Sequence, residues 1–264
     1  MNIADGASAF AAFCLDVSPG EKVLDMCSSP GGKSIILASQ LFRERSTLEG
    51  IRDTSSLSTS ELVSALKTKL DTSLDESSNT LLVCNEVSSA RFKRLVDTIG
   101  RFVPQKHISG KHIQFVNYDA TSPEKFRRFG KFDKILLDAP CSSERHLIRN
   151  GQPWSYKNVK ENSKRQLQLL QSAISLLKSG GIILYCTCAL DPLENELVIH
   201  TILNTLDSVK TLEINYSSVI ETLSTRDSEE ERNRFKPERR KYGYALMPDK
   251  TEYGPLFIAK LQKS

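Results

Sequence analysis

Residues 23–41 read VLDMCSSPGGKSIILASQL. Four strand-like residues are followed by a turn with a proline and two glycines, and then by a helical spacing of apolar side chains. A short apolar run that ends in turn residues and enters a helix is one unit of a parallel sheet. The unit recurs along the chain. LLVCNE (81–86) precedes SSARFKRLVDTIGRF (88–102), KILLD (134–138) precedes SKRQLQLLQSAISLL (163–177), and GIILYCT (181–187) precedes ENELVIHTILNTL (194–206). IQFVN (113–117) adds another strand. The strands are continuously apolar, as strands covered on both faces must be. The fold class is therefore α/β, a doubly wound and mostly parallel sheet of six or seven strands. Leu167, Leu170, Ala173, Ile174 and Leu177 form one apolar helical stripe that faces the core. GPLFIAKLQ (254–262) returns to strand character and is expected to add an antiparallel C-terminal edge strand.

Two segments break the rhythm. Residues 43–79 are rich in Ser and Thr and read as an insertion between the first helix and the second strand. Residues 226–241 mix seven basic with five acidic side chains and read as a solvated loop. The 264 residues are expected to form a single domain around one sheet.

Composition narrows the function. With 39% hydrophobic and 26% charged residues the chain is globular, and no apolar run approaches membrane-spanning length. The net charge of +4 permits a polyanionic partner without demanding one. The N-terminus has an early acid, Asp5, and no basic or secretory leader pattern, so an intracellular protein is expected. The six cysteines are too sparse for a disulfide scaffold and include no zinc-type CxxC pair, so no metal is expected.

The turn after the first strand, CSSPGGKS, suits an anionic or nucleotide ligand, because glycines admit close backbone approach and a helix start offers free N–H groups. Against the phosphate-loop pattern G-x-x-x-x-G-K-[ST], Cys27 replaces the first glycine while Gly32, Lys33 and Ser34 fit. KILLD resembles the magnesium-binding strand of such proteins, so a nucleotide triphosphatase stays open at this point. Glu86 ends the second strand, where a carboxylate commonly takes ribose hydroxyls. Its distance from the turn exceeds the usual spacing unless 43–79 loops out. Asp119 follows the third strand at the same sheet edge. Asp138-Ala139-Pro140-Cys141-Ser142 and Thr187-Cys188 each set a cysteine just past the end of a central strand. Two thiols and a carboxylate in one crevice suit substitution at pyrimidine C5, which needs a thiolate at C6 and a second group to release the product. Cys14 and Cys84 read as small hydrophobes.

Taken together, D-M-C-S-S-P-G-G-K (25–33), Glu86, Asp119, D-A-P-C-S (138–142) and T-C-x-L-x-x-x-E-N-E (187–196) resemble the Sun (nucleolar protein/Sun-domain) family of S-adenosylmethionine-dependent RNA cytosine-C5 methyltransferases. The resemblance implies the class I methyltransferase (Rossmann-like) sheet, S-adenosyl-L-methionine as cofactor, and rRNA or tRNA as partner. It assigns Cys27, Ser28, Ser29, Pro30, Gly31, Gly32 and Lys33 to the cofactor loop. It further implies Glu86 for the ribose, Asp119 by the adenine, Asp138 lining the pocket, Cys188 as nucleophile and Cys141 as the group that assists release. Three features depart from the family pattern. Ser28-Ser29 replaces two alanines, Cys186 stands where serine is usual and reads as a packing residue, and Ser142-Ser143-Glu144-Arg145-His146-Leu147 replaces a glycine-rich continuation. That last stretch and the ending YGPLFIAKL look most like the mitochondrial branch, although the N-terminus reads as no transit peptide, which leaves cytoplasm and nucleus open.

No N-terminal RNA-binding or PUA-type module is recognisable, so RNA selection would fall to a protein partner or to the domain's own surface. Candidates for that surface are Lys93, Arg94 and Arg101, then Lys125, Arg127, Arg128 and Lys131, then Arg145, His146, Lys157, Lys160, Lys164 and Arg165. Trp154 and Tyr156 lie among the last group and suit stacking on a base. A non-catalytic RNA-binding protein of the same fold is the further alternative.

Overall fold

The computed structural model describes residues 6–42, 79–223, 236–251 and 253–264. Among them, strands β1 (Lys22–Asp25), β2 (Leu81–Asn85), β3 (Ile113–Val116), β4 (Phe132–Asp138) and β5 (Leu177–Thr187) pair in parallel in the order β3-β2-β1-β4-β5. The C-terminal strand β9 (Leu256–Lys263) adds antiparallel to β5. The sheet continues past it: β6 (Val209–Leu212) pairs with one half of β9 and β8 (Gly243–Leu246) with the other, while β7 (Glu238–Arg240) pairs with β8. Among the described residues the sheet thus has nine strands, more than the six or seven read from the sequence. Part of the charged 226–241 segment is strand β7, and the rest of it, up to 235, lies outside the described residues, as does 43–78 of the expected insertion.

Alternation along the strands builds two cores. Val23, Leu136, Leu184 and Cys186 face one side, where α1 (Gly6–Leu15), α2 (Gly32–Leu41) and α3 (Ser89–Phe102) pack. Leu24, Ile135, Leu137, Ile183 and Tyr185 face the other. That side is closed by α6 (Tyr156–Leu176), α7 (Glu196–Thr205) and the 3-10 turn Pro123–Phe129. Helices α4 (Gln105–Ser109), α5 (Glu144–Arg149) and α8 (Tyr216–Leu223) are also present. The stripe expected on 163–177 is present, with Leu170, Ala173, Ile174 and Leu177 buried and Leu167 packed against the same core. No described helix is long and apolar enough to cross a membrane.

The register aligns the strand ends that matter. Asp25 lies beside Cys84 and Leu136, and Asp138 beside Cys186. Asn85 locks three of these ends together: its amide donates to Met26 O at 2.9 Å and Tyr118 O at 3.2 Å, and its Oδ1 accepts from Tyr118 N at 2.9 Å. Asn85→Ala leaves Met26 O and both backbone groups of Tyr118, at the ends of β1 and β3, without these partners. It is expected to cost about 2–4 kcal/mol, read as a lower urea midpoint at unchanged slope.

Candidate active site

The loop after β1 is held by its own neighbours. Ser28 N donates to Asn85 O at 2.8 Å, Ser28 Oγ donates to Asp25 O at 2.8 Å, and Ser29 Oγ donates to Arg91 O at 3.0 Å. Gly31, at φ +112°, turns the chain into α2, and a Cβ there would press on Leu95 and Ile99. No side chain caps α2, so its first turn opens toward a ligand.

Ser28, Ser29, Pro30, Gly32, Lys33, Asp138 and Cys188 line one cavity of about 850 Å3. Its far wall comes from α1, from Arg145, His146 and Arg149 on α5, and from Tyr253–Pro255. Lys33 Nζ donates to Asp138 Oδ2 at 2.8 Å and to Ser8 Oγ at 3.2 Å, and Cys186 Sγ donates to Asp138 Oδ1 at 3.5 Å. Burial opposes the Lys33 ammonium, yet the charge of Asp138 outweighs it and lifts the lysine above its ordinary pKa. Both Asp138 oxygens are thereby fixed at the mouth of the site. Burial first, then the Asp138 charge, keeps Cys186 a thiol, as a packing residue should be.

Glu86 is buried at the end of β2, with Oε1 accepting from Ser88 N at 2.9 Å and Oε2 lying 3.4 Å from Arg91. Cys27 is half-buried and feels Asp25, Asp138 and Glu86 together; burial and these charges raise its pKa. Asp119 is exposed and outside the cavity lining, and its Oδ1 accepts from Thr121 N and Oγ1 at 3.0 and 2.8 Å. Burial raises Cys14 to about 12 and lifts Cys84 as well, which suits small buried hydrophobes. Among the described residues no group of His, Cys, Asp and Glu is arranged to hold a metal.

The two cysteines beyond β4 and β5 meet. Cys141 Sγ and Cys188 Sγ are 3.1 Å apart, with Ser143 Oγ 3.1 Å from Cys188 Sγ. Hydrogen bonding from Cys141 pulls the pKa of Cys188 below the ordinary thiol value, whereas the same contact and burial push Cys141 up. Cys188, the exposed member of the pair and in contact with both Cys141 and Ser143, is thus the thiol favoured as thiolate.

Each cysteine loop supplies a carboxylate to the other. Glu144 Oε2 accepts from Leu190 N at 3.0 Å and its Oε1 from Asp191 N at 3.3 Å. Glu194 Oε2 accepts from Ser142 N at 3.0 Å and from Gln166 Nε2 at 2.8 Å, and Gln166 also donates to Pro140 O at 2.8 Å. Tyr185 donates to Glu194 O at 2.6 Å. Sequence reasoning gave none of these a role. Glu194 lies within the 187–196 pattern, and the available signal for Gln166 was a polar residue in line with Leu169 and Leu170 on the buried stripe.

A family model described as "16S rRNA methyltransferase RsmB/F" matches residues 66–262. The chain belongs to the RsmB/F family. Its relatives include the mouse (Mus musculus) mitochondrial tRNA (cytosine(34)-C(5))-methyltransferase, 28% identical over 98% of this chain and 62% of the relative. The cattle (Bos taurus) 5-cytosine rRNA methyltransferase NSUN4 is 24% identical over 80% of this chain and 46% of its own length. A solved methyltransferase homologue from Pyrococcus horikoshii, 25% identical, superposes with a TM-score of 0.62 over 99% of this chain and 67% of that one. The chain thus spans roughly half to three-fifths of the length of these curated relatives. RsmB/F membership removes the triphosphatase alternative, and the Lys33 that prompted it is tied to Asp138.

Asp25 generates a test of these electrostatics. Burial raises it from 3.8 to about 7, against a 2.6 Å hydrogen bond from Ser34, and its Oδ1 has no partner among the described residues. A carboxyl whose folded pKa is raised stabilises the fold fully below the unfolded value, and that contribution is lost as pH rises through the folded one. The stability of the wild type relative to Asp25→Asn should therefore fall from about pH 4 to 7, by up to ~1.4 kcal/mol per pH unit, and level off above. Urea unfolding across that range measures it.

Proposed function

We propose that this chain is one catalytic domain, with 43–79 as an insertion, that transfers a methyl group from S-adenosylmethionine to C5 of a cytosine in tRNA or rRNA. The observation that carries the reading is the 3.1 Å separation of the Cys141 and Cys188 sulfurs beside the cavity that also holds the 28–33 loop and Asp138. Family membership and the names of the relatives support it.

The residues fit the cofactor. The uncapped start of α2 suits a carboxylate, the buried Glu86 would accept from ribose hydroxyls, and Asp119, past the end of β3 with its Oδ1 held by Thr121, would lie on the adenine side. Cys27 and Gly31 shape the loop. A cavity of about 850 Å3 is ample for a nucleoside-sized ligand and a base together. When bound, S-adenosylmethionine supplies the electrophilic methyl.

The chain's own groups do the rest. The Cys188 thiolate bonds to cytosine C6, and the displaced C5=C6 electron pair makes C5 nucleophilic. Asp138, held by Lys33 and Cys186, faces the N3 and amino edge: as a carboxylate it accepts from the amino N–H, and as the protonated acid it donates to N3. While Cys188 is a thiolate, Cys141 stays protonated as its donor. Once the Cys188 sulfur is bonded to carbon and neutral, that restraint is gone: Cys141 gives its own proton to solvent, and as a thiolate it takes up the C5 proton while the S–C6 bond breaks and its electron pair returns to the Cys188 sulfur. Arg145, His146 and Arg149 offer phosphate contacts from the cavity wall. Trp154 (54% exposed) and Tyr156 (46% exposed), with Lys160 over the Tyr156 ring, suit stacking on an unpaired base. Mitochondrial location belongs to the same proposal through the mouse relative's name and the mitochondrial-like 142–147 stretch, and a protein partner that shares in RNA selection is part of it.

The experiment is transfer of a labelled methyl group to tRNA and rRNA transcripts. Incorporation as 5-methylcytosine that is lost in Cys188→Ala is expected; no incorporation into any RNA by a protein that binds S-adenosylhomocysteine would overturn the reading. Glu86→Ala should raise the calorimetric Kd for S-adenosylhomocysteine at least tenfold, since hydrogen bonds to a carboxylate contribute about 1.5–3 kcal/mol.

A further inference from the structure

We propose that the Ser143 hydroxyl is a third catalytic group of the cysteine pair, donating a hydrogen bond to the Cys188 sulfur and holding it as a thiolate. The use of that thiolate rests on the methyltransferase reading; the hydrogen bond itself does not.

Ser143 Oγ lies 3.1 Å from Cys188 Sγ and 3.6 Å from Cys141 Sγ. The Cys141 thiol and the Ser143 hydroxyl thus converge on one sulfur, and a sulfur that receives two donors is best served as an anion. The backbone shows the same purpose. Ser143 has φ +53° and ψ +51°, and only Asp16 and Lys111 among the other described non-glycine residues have positive φ. Such a conformation costs of order 1 kcal/mol and persists where the surroundings enforce it. Here they do so from both sides: the preceding residue gives its N–H to Glu194, and the following residue, Glu144, accepts from Leu190 N and Asp191 N. The hydroxyl is therefore fixed against the very loop that carries Cys188.

The other groups facing the sulfur do not replace it. Lys33 favours the thiolate but is committed to Asp138, whose own charge opposes it. Arg145, His146 and Arg149 line the same cavity from α5. A neutral donor stabilises the thiolate without forming an ion pair that attack on C6 would have to break. The S–H proton leaves to solvent through the open cavity. When the C5 proton is later removed, the S–C6 electron pair returns to sulfur and the same hydroxyl again donates its hydrogen bond to the thiolate; no proton passes from Ser143.

The test is the pH dependence of Cys188 alkylation by iodoacetamide on the full chain, with the site read by mass spectrometry. Ser143→Gly, which suits the left-handed backbone, and Ser143→Ala should both raise the midpoint by about one pH unit, a tenfold loss of thiolate at neutral pH. The melting temperature of Ser143→Gly should be no lower than that of the wild type. An unchanged midpoint in both variants, or a shift in only one although both lose the same hydroxyl, would overturn the proposal. The assay contains neither RNA nor methyl donor, so failure of the methyltransferase reading leaves its result standing.

Discussion

The separation of two sulfurs is what the site depends on, and two buried glutamates set it. Glu144 and Glu194 sit on opposite loops, and each accepts backbone N–H groups from the loop it does not belong to. Neither loop can shift alone without leaving a buried carboxylate or N–H group unpaired, which costs more than a hydrogen bond contributes. Burial raises the pKa of Glu194, and the bonds from Ser142 and Gln166 oppose that shift, so the carboxylate depends on its partners for its charge. Gln166 and Tyr185 tie this crossing to α6 and β5, in the rigid core.

The sheet explains why the loops are adjacent at all. β4 and β5 are parallel neighbours with Asp138 beside Cys186, so their outgoing loops start side by side. β1 runs along the other flank of β4, which brings the 27–33 loop and Lys33 to the same edge. One register thus joins the loop that suits a cofactor, the carboxylate that suits a base and the thiols that suit covalent chemistry. The paired thiols are unequal despite their closeness: Cys188 is exposed and its pKa is drawn down by its hydrogen-bond contacts, while Cys141 is half-buried and pushed up.

Much of this was legible in the sequence. Continuous apolar runs ending in Asp25, Glu86, Asp138 and Thr187 specified the parallel strands, because strands buried on both faces leave that pattern. The strands β6, β7 and β8 were not read, for a physical reason. Each is three or four residues long, β6 has only Val209 buried, and β7 is charged; they owe their structure to pairing with β9 or with each other. The motifs brought Cys141 and Cys188 together on paper, and their sulfurs do meet. Glu144, Gln166 and Asn85 went unread because their work is done on backbone atoms far away in sequence, which no local pattern records. Asp119 was read toward the same crevice, and its side chain is taken up by Thr121.

The central claim is that Cys188 attacks and Cys141 releases. It is tested most directly by incubating each alanine variant with the substrate RNA and methyl donor and looking for protein–RNA adducts on a denaturing gel. The account predicts an adduct that persists in Cys141→Ala, no adduct in Cys188→Ala even with 5-fluorocytosine in the RNA, and none in the double variant. An adduct in Cys188→Ala with none in Cys141→Ala would contradict it and reverse the two roles.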